Sequence, residues 1–463
     1  MMHYQAEMSF IKKNDANFII LLILGIGIYF RMSWYGDLRL SVANAETDSY
    51  MSSARNSIFS WNIFAGQRLF TTNLIYKFAN DPANCPITAY GKPGVGEEVE
   101  RKIQTCFDKI ALLQNYFSIF GWCFLSWIVA SKLNNPFVKI FSATVIMLFG
   151  FTPQIAEWDS VLSPESLSLS IFAIFLGISI ELAFYIEKSD SPFSTKKEKF
   201  LGVIFIIMFL LWVFVRDVHL YAIPVTLLLL LPFFFIKKFR KTKILPIVFT
   251  IFFSFFIIGY LSARDSLRAT RYPLMNALDE YILPYPTRVE FFKGYGMPEK
   301  EAPSYFDAPI YQEWADKNAT KAYAIFLVSH PGFVITTLWE NMDLLNGDYA
   351  QPYFITDEVK NHNFLLVVGE MVNPESGLIY LLTFFITVTL VTQKIVNRKE
   401  IFSAWSWLGI WVYGIATATL LISYFGDTAG LRRHIMPSVE LVRLHFWVFL
   451  LPFLDRSLTV SKK

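Results

Sequence analysis

The chain has 463 residues, of which 54% are apolar, 17% aromatic and only 17% charged. With a mean hydropathy of +0.41 it is too apolar for an ordinary soluble domain, and the expected fold class is an all-α polytopic membrane protein. The net charge of +3 comes without a basic patch interleaved with aromatic residues, so no nucleic-acid partner is expected.

A hydrocarbon core of ~30 Å takes about 20 apolar residues in a helix. Runs of that kind are predicted near 18–36, 110–131, 138–155, 162–186, 200–216, 218–236, 244–262, 376–393, 401–424 and 437–454, about ten spans. The first run lacks a small-residue cleavage site and reads as a retained signal-anchor. Lys12-Lys13, Lys132 with Lys139, Lys188 with Lys196, Lys197 and Lys199, the Lys237–Lys243 run, Lys394 with Arg398 and Lys399, and Lys462-Lys463 fall on one side, which the positive-inside rule makes the cytoplasm. The loops at about 37–109, 155–161, 263–375 and 425–436 are then outside. This divides the chain into spans one to seven with the first outer loop (1–262), an outer helical region (263–375) and spans eight to ten with a cytoplasmic tail (376–463).

Within the first outer loop, 48–80 carries apolar residues spaced for short amphipathic helices, rich in Phe, Trp and Tyr with single arginines between them; such helices lie in the interface plane. Cys85 and Cys106 share this loop. A bridge there is chemically allowed and closes a loop of about 20 residues, contributing ~3 kcal/mol in the chain-entropy model; two unpaired loop thiols are the alternative. Cys123 sits inside a span and reads as packing. The second large loop has turns at Leu283-Pro284-Tyr285-Pro286 and Gly294-Tyr295-Gly296, then helical stretches at about 307–329, stopped by His330-Pro331, and 333–345, stopped by Gly347.

The residues suited to chemistry collect on the outer side. Glu46 and Asp48 follow the first span in Glu46-Thr47-Asp48-Ser49-Tyr50. A carboxylate there can take a proton from an acceptor hydroxyl or hold a divalent cation, whereas Asp48 is also a normal helix N-cap. Glu157 and Asp159 stand near membrane depth, where unpaired carboxylates are costly. Glu165, after Ser163-Pro164, reads as an ordinary first-turn acid. In the Arg216-Asp217-Val218-His219 hairpin, Arg216 or His219 can meet an anionic head group with Asp217 orienting it; a snorkelling arginine and a helix-capping aspartate are the alternative. The Gly426–His434 stretch ends in Arg432-Arg433-His434. Adjacent arginines outside run against the charge bias, and a bound phosphate favours them; nonspecific phospholipid head groups are the alternative.

The E-T-D-S-Y segment, the W-D-S…S-P-E-S-L segment, the R-D hairpin and the terminal G-D-x-x-x-L-R-R-H-x-x-P-x-x-x-L-x-R-L together resemble the GT-C fold glycosyltransferases. These polyprenyl-phosphate-sugar-dependent membrane enzymes include protein O-mannosyltransferases and lipid A aminoarabinose transferases. The resemblance is one of layout over roughly the whole chain. It implies an inverting transfer of sugar from a polyprenyl-phosphate donor to the hydroxyl of a glycan, lipid or protein acceptor. Asp48 falls at the family's first-loop acid, with Glu46 as its neighbour, and Arg432 and Arg433 at the donor phosphate, joined by Arg216 and His434. Tyr50, Glu157, Asp159, Asp217 and His219 are the supporting or acceptor-side candidates. Many members carry Asp-Glu or Asp-Asp in the first loop; here the pattern is Glu-x-Asp, which leaves the essential acid and any divalent cation open, and no other cofactor is expected.

Two other classes fit a ten-span chain. An oligosaccharide polymerase or ligase also uses lipid phosphates and large outer loops, but relies on outer arginines and a histidine without a first-loop acid. A lipid-linked-sugar flippase or transporter places ionisable residues mid-bilayer and breaks its helices. The Asn318-Ala319-Thr320 sequon is usable in a eukaryote; a bacterial inner membrane with the site facing the periplasm is the expected location.

Overall fold

The computed structural model describes residues 13–79, 85–93, 99–240, 242–266, 272–299, 309–346, 350–396 and 403–460. Lys12, Lys241, Arg398, Lys399, Gly347 and the Lys462-Lys463 tail lie outside the described residues. The protein is helical and polytopic. The first span is α1 (Lys13–Trp34), and the first outer loop then holds α2 (Thr47–Ala54), α3 (Trp61–Ala65) and α4 (Phe70–Tyr76). Four helices form the first part of the bundle: α5 (Asp108–Ser131), α6 (Pro136–Phe151), the short α7 (Pro153–Ala156) and α8 (Pro164–Lys188). They are followed by α9 (Lys196–Val213), α10 (Ala222–Leu230), the one-turn α11 (Lys237–Arg240) and α12 (Ile244–Asp265).

The second outer region contains α13 (Tyr272–Tyr281), α14 (Pro286–Lys293), α15 (Pro309–Trp314), α16 (Thr320–Ser329), α17 (Pro331–Glu340), α18 (Met342–Asn346) and α19 (His362–Val372). The chain ends in α20 (Leu378–Val396), α21 (Ala404–Gly426) and α22 (Leu431–Val460). Within the described residues the sequence-predicted spans fall mostly on helix, but α9 and α20 are not among the helices long and apolar enough to cross a membrane, so the expected count of about ten is not reached. Among the described residues seven helices are long and apolar enough to cross a membrane, or nine when each of two bent pairs is taken as one span. One bent pair, at Thr152 between α6 and α7, breaks the third predicted span by 48°; Pro153 starts the second piece. The other bends 83° between α16 and α17 at His330-Pro331, the stop expected from the sequence, because proline cannot continue the hydrogen-bond ladder.

The core of the bundle lies around α5 and α8. Gly121 and Gly150 let helices approach closely: a Cβ on Gly150 would enter the Trp122 ring, and one on Gly121 would meet the backbone of Ser170 on α8. Small residues at helix contacts serve this purpose in membranes, where packing drives association. A second apolar core joins α13 to α18 to the outer ends of α21 and α22, through residues such as Phe292, Trp314, Phe326 and Phe425. The last span carries charge within it. Glu440 and Arg443, both almost fully buried, pair at 2.7 Å, and His445 lies one turn further between Thr387 and the Gly409 carbonyl.

A three-stranded sheet organises the loops at one end of the bundle. β1 (Leu40–Ala43) pairs antiparallel with β2 (Lys102–Ile103) and parallel with β3 (Val161–Leu162), with Val42 opposite Val161 and Ala43 opposite Leu162. The Cys85–Cys106 bridge closes beside it, so the allowed pairing is the one formed. Gln104, two residues from Cys106, takes the amides of Thr88 and Ala89 and donates to the Ser41 carbonyl, joining the bridged loop to β1.

Candidate functional site

The parallel pairing of β1 and β3 brings two acids to one level. Glu46 lies three residues beyond Ala43, and Glu165 three beyond Leu162, while Thr47 Oγ donates to the Leu162 carbonyl at 3.0 Å and closes the gap between the two chains. Glu46 heads α2, and Glu165 sits in the first turn of α8. At 25 residues and about 1.5 Å per residue, α8 carries Lys188 to the far end of the bundle. The antiparallel α9 runs back from Lys196 to deliver Arg216 beside Glu165.

Three guanidinium groups meet these two carboxylates. Arg433, in the first turn of α22, pairs with Glu46 Oε1, and its Nε stands 3.9 Å from Glu165 Oε1. Arg216 Nη1 donates to the same Glu165 oxygen at 3.2 Å. Arg68 lies 3.5 Å from Glu46 Oε2, stacks over the Tyr50 ring at 4.4 Å and donates through Nε to Ser49 Oγ at 2.8 Å. Tyr50 donates its hydroxyl to Glu46 Oε2 at 2.5 Å. The Glu165 carboxylate is 1% exposed, against 28% for Glu46, 27% for Arg68, 13% for Arg216 and 12% for Arg433. The acid at the back is therefore sealed, and the groups around it reach the surface.

The scaffold docks the segment carrying Arg68 against the end of α9, just before Arg216. Asn73 on α4 donates to the Ile63 and Arg68 carbonyls, fixing the turn that carries Arg68. Thr71 and Thr72, on the same helix, donate to the Leu211 and Val215 carbonyls at the end of α9, and the Thr71 amide caps Phe214. A short interfacial helix thus supplies donors to carbonyls that α9 leaves unpaired at its C-terminus.

Burial alone would raise the Glu46 carboxyl. The neighbouring Arg433 and Arg68, helped by the Tyr50 hydroxyl, outweigh it and hold the group at about 2. Glu46 is therefore an ionised counter-charge, and a poor proton acceptor near neutral pH. Burial pushes the Asp427 carboxyl up, against the donors Asn276 and the Ala429 amide. His434 links the two regions: Arg433 donates to its Nε2 at 3.2 Å, and its Nδ1 lies 3.4 Å from Asp427 Oδ2.

Of the sequence-predicted site residues, Glu46, Tyr50, Arg216, Arg433 and His434 come together, and Asp217 is close enough to act electrostatically on Arg68. Asp48, Glu157, Asp159 and Arg432 make no contact with that cluster among the described residues, while His219 lies behind it, close enough to feel the charge of Arg216. Asp48 and Arg432 are exposed, and their side chains meet no hydrogen-bonding or ionic partner among the described residues. Asp48 stands two positions after Glu46 at the start of α2, roughly opposite it around the helix axis.

The remaining three are buried for structural reasons. Asp159 pairs with Arg31 at 2.8 Å and accepts from Ser166 at 2.6 Å, locking α1 to the turn before α8. Glu157 stands 2.8 Å from His362 Nε2 and accepts from Gln351 at 3.3 Å, anchoring the second outer region. His219 stacks on Trp212 at 4.4 Å and bonds Ser168 Oγ and the Trp212 carbonyl, which fixes the hairpin behind Arg216. Sequence reasoning missed Arg68 as a site residue and gave Glu165 only a helix-start role. The signal available for Arg68 was a single arginine between aromatic interfacial helices.

Among the described residues no group of three or more His, Cys, Asp or Glu side chains is placed to hold a metal ion. Glu46, the carboxylate expected to share such a role with Asp48, has both oxygens beside guanidinium groups, a setting that does not fit a divalent cation. An apolar cavity of about 400 Å3 between α8, α9, α10, α12 and Trp407 lies along α9 toward Lys199, at the end of that helix away from Arg216, and contains no member of the charged cluster.

No family model matches the chain, and no curated protein does. Among solved structures, the Archaeoglobus fulgidus oligosaccharyltransferase in complex with Zn and sulfate is 10% identical, with a TM-score of 0.38 over 96% of this chain and 51% of that one. Its apo form gives 12% identity and 0.41 over 94% and 51%. The oligosaccharyltransferase AglB of the same organism, with an inhibitory peptide and a dolichol-phosphate, gives 14% and 0.39 over 96% and 51%. The chain spans about half the length of these structures.

Proposed function

We propose that the chain is an inverting membrane glycosyltransferase of the GT-C type, moving a sugar from a polyprenyl-phosphate donor to an acceptor hydroxyl at the non-cytoplasmic face, in a bacterial inner membrane. The observation that carries this reading is the convergence of Arg68, Arg216 and Arg433, from three separate outer segments, on one patch backed by Glu46 and Glu165. Guanidinium groups match phosphate oxygens in shape and charge. A site partly shielded from water makes their effect on a departing phosphate worth several kcal/mol.

In this reading Arg433 and Arg216 hold the donor phosphate, with Arg68 and His434 at its edge, and the isoprenoid chain lies along the spans. Glu46 keeps the guanidinium groups oriented. Asp48 is the candidate general base, because it is a carboxylate of the same loop that no guanidinium ties down, while Glu46 is too acidic for the task. The acceptor hydroxyl attacks the anomeric carbon from the face opposite the phosphate and passes its proton to Asp48. The C–O bond to phosphate breaks, and the phosphate leaves with the electron pair. The test is sugar transfer from a polyprenyl-phosphate-sugar panel by the purified protein in lipid. D48N should abolish turnover while the protein stays inserted and folded, and full turnover in D48N would remove the base assignment.

A lipid-linked-sugar transporter is the second reading, favoured by the buried Glu440–Arg443 pair and the break at Thr152. Movement of intact donor across vesicles without transfer would select it.

A further inference from the structure

We propose that Glu165 is a positioning residue that sets the spacing of the two phosphate-binding arginines, an assignment that rests on the reading of Arg216 and Arg433 given above. One oxygen of this carboxylate, Oε1, faces both groups, at 3.2 Å from Arg216 Nη1 and 3.9 Å from Arg433 Nε. These arginines come from different parts of the chain, a hairpin after α9 and the first turn of α22, and a flexible side chain from each must stop at the same place. A charge-assisted hydrogen bond donated to a fixed acceptor does this for Arg216, and the ionic contact with the same oxygen does it for Arg433.

Glu165 itself is rigid. It follows Pro164, it sits in the first turn of α8, and its carboxylate is sealed at 1% exposure. Its second oxygen, Oε2, is buried with no hydrogen-bond partner among the described residues. A buried acceptor left half satisfied is costly, and the cost is consistent with a group retained for orienting charge instead of for stability. Arg433 also pairs through Nη2 with the part-exposed Glu46, so Glu165 holds it from the buried side at Nε and Glu46 holds its neighbouring Nη2. A first-turn acid with only a helix-dipole role would not need contact with either arginine.

The assignment predicts a sign opposite to that of simple electrostatics. Removing a negative charge behind three cations should tighten the binding of an anion if charge is all that matters. Removing a group that orients the arginines should weaken it. The experiment is a titration of the full-length protein in nanodiscs with polyprenyl phosphate lacking a sugar, comparing wild type, E165Q, E165D, R216A and the E165Q/R216A double variant.

E165Q is expected to bind about tenfold more weakly, the scale of one charge-assisted hydrogen bond. In the R216A background the same substitution should have much less effect, because the partner through which it acts is gone. Tighter or unchanged binding by E165Q, or effects that simply add in the double variant, would overturn the assignment. E165D serves if E165Q does not fold: it keeps the charge and shortens the reach, and binding equal to wild type would overturn the assignment equally. Wild-type protein that does not bind polyprenyl phosphate removes the phosphate-site reading itself, whereas binding by wild type with no loss in the Glu165 variants removes only the positioning role.

Discussion

Glu46 and Glu165, 119 positions apart in the chain, both face one guanidinium group, that of Arg433, Glu46 at Nη2 and Glu165 at Nε. The relationship follows from strand register. With Ala43 opposite Leu162, residues at equal offsets beyond β1 and β3 emerge at the same height, and each strand hands over to a helix that fixes its acid. The last span then has to supply only one arginine at its first turn to join both halves of the bundle.

Arg433 is the residue whose loss should be felt most. R433A removes the group shared by both acids, so transfer should fall by about a hundredfold or more, the range found when one charge-stabilising donor is deleted. R433K keeps the charge but not the planar fork that reaches two carboxylates, and should recover only a small part of the rate. Initial rates at saturating donor, with insertion checked separately, measure this. Activity of R433K equal to wild type would show that charge alone suffices.

The ion pairs of Glu46 also give a pH signature. Its folded-state value of about 2 lies below the ordinary 4.5. The sign is that of a depressed carboxylate: the group stabilises the fold above about 4.5, and the contribution disappears as pH falls through about 2. Thermal unfolding in detergent should therefore show wild type losing stability across that window more steeply than E46Q. Parallel curves for the two proteins would mean that Arg68 and Arg433 do not hold Glu46 in solution.

The apolar helices were legible because hydrophobic runs are local properties of the chain. Glu46 stood out as one of two acids close together in the loop after the first span. Its partner Arg68 did not, since the contact depends on α4 docking against the end of α9 through Thr71 and Thr72, and nothing local announces that. The two-residue β3 is too short to leave a period in the sequence, so the pairing that promotes Glu165 from helix start to partner of two arginines could not be read. Asp159 looked suspect at membrane depth because its partner, Arg31 near the end of α1, lies 128 positions away in the chain. Isolated carboxylates at such depth are costly, and here the cost is offset by a structural ion pair.

The disulfide gives a prediction about the outer loop. Cys85 and Cys106 are bridged over a separation of 21 residues, a loop whose closure contributes ~3 kcal/mol in the chain-entropy model. Because Gln104 ties the bridged segment to Ser41 of β1, opening it should loosen the strand that sets Glu46. C85S/C106S, or reductant, should lower the melting temperature and also reduce donor binding. A lower melting temperature with unchanged donor affinity would confine the bridge to a stability role.

Gly150 tests whether the close approach of α5 and α6 is required. A Cβ there would enter the Trp122 ring, which is buried and packed on Phe149 at 5.3 Å, so the ring has little room to retreat. Overpacking of this kind costs about 1–3 kcal/mol, and in a membrane bundle the loss falls directly on helix association, since lipid tails satisfy an exposed apolar face as well as a neighbouring helix does. G150V should therefore destabilise more than G150A, and in the G150V background W122A should restore part of the loss by making room. The thermal stability of the four proteins in one detergent decides it: a G150V protein as stable as wild type, or one that W122A only weakens further, would show that α5 and α6 do not meet at Gly150.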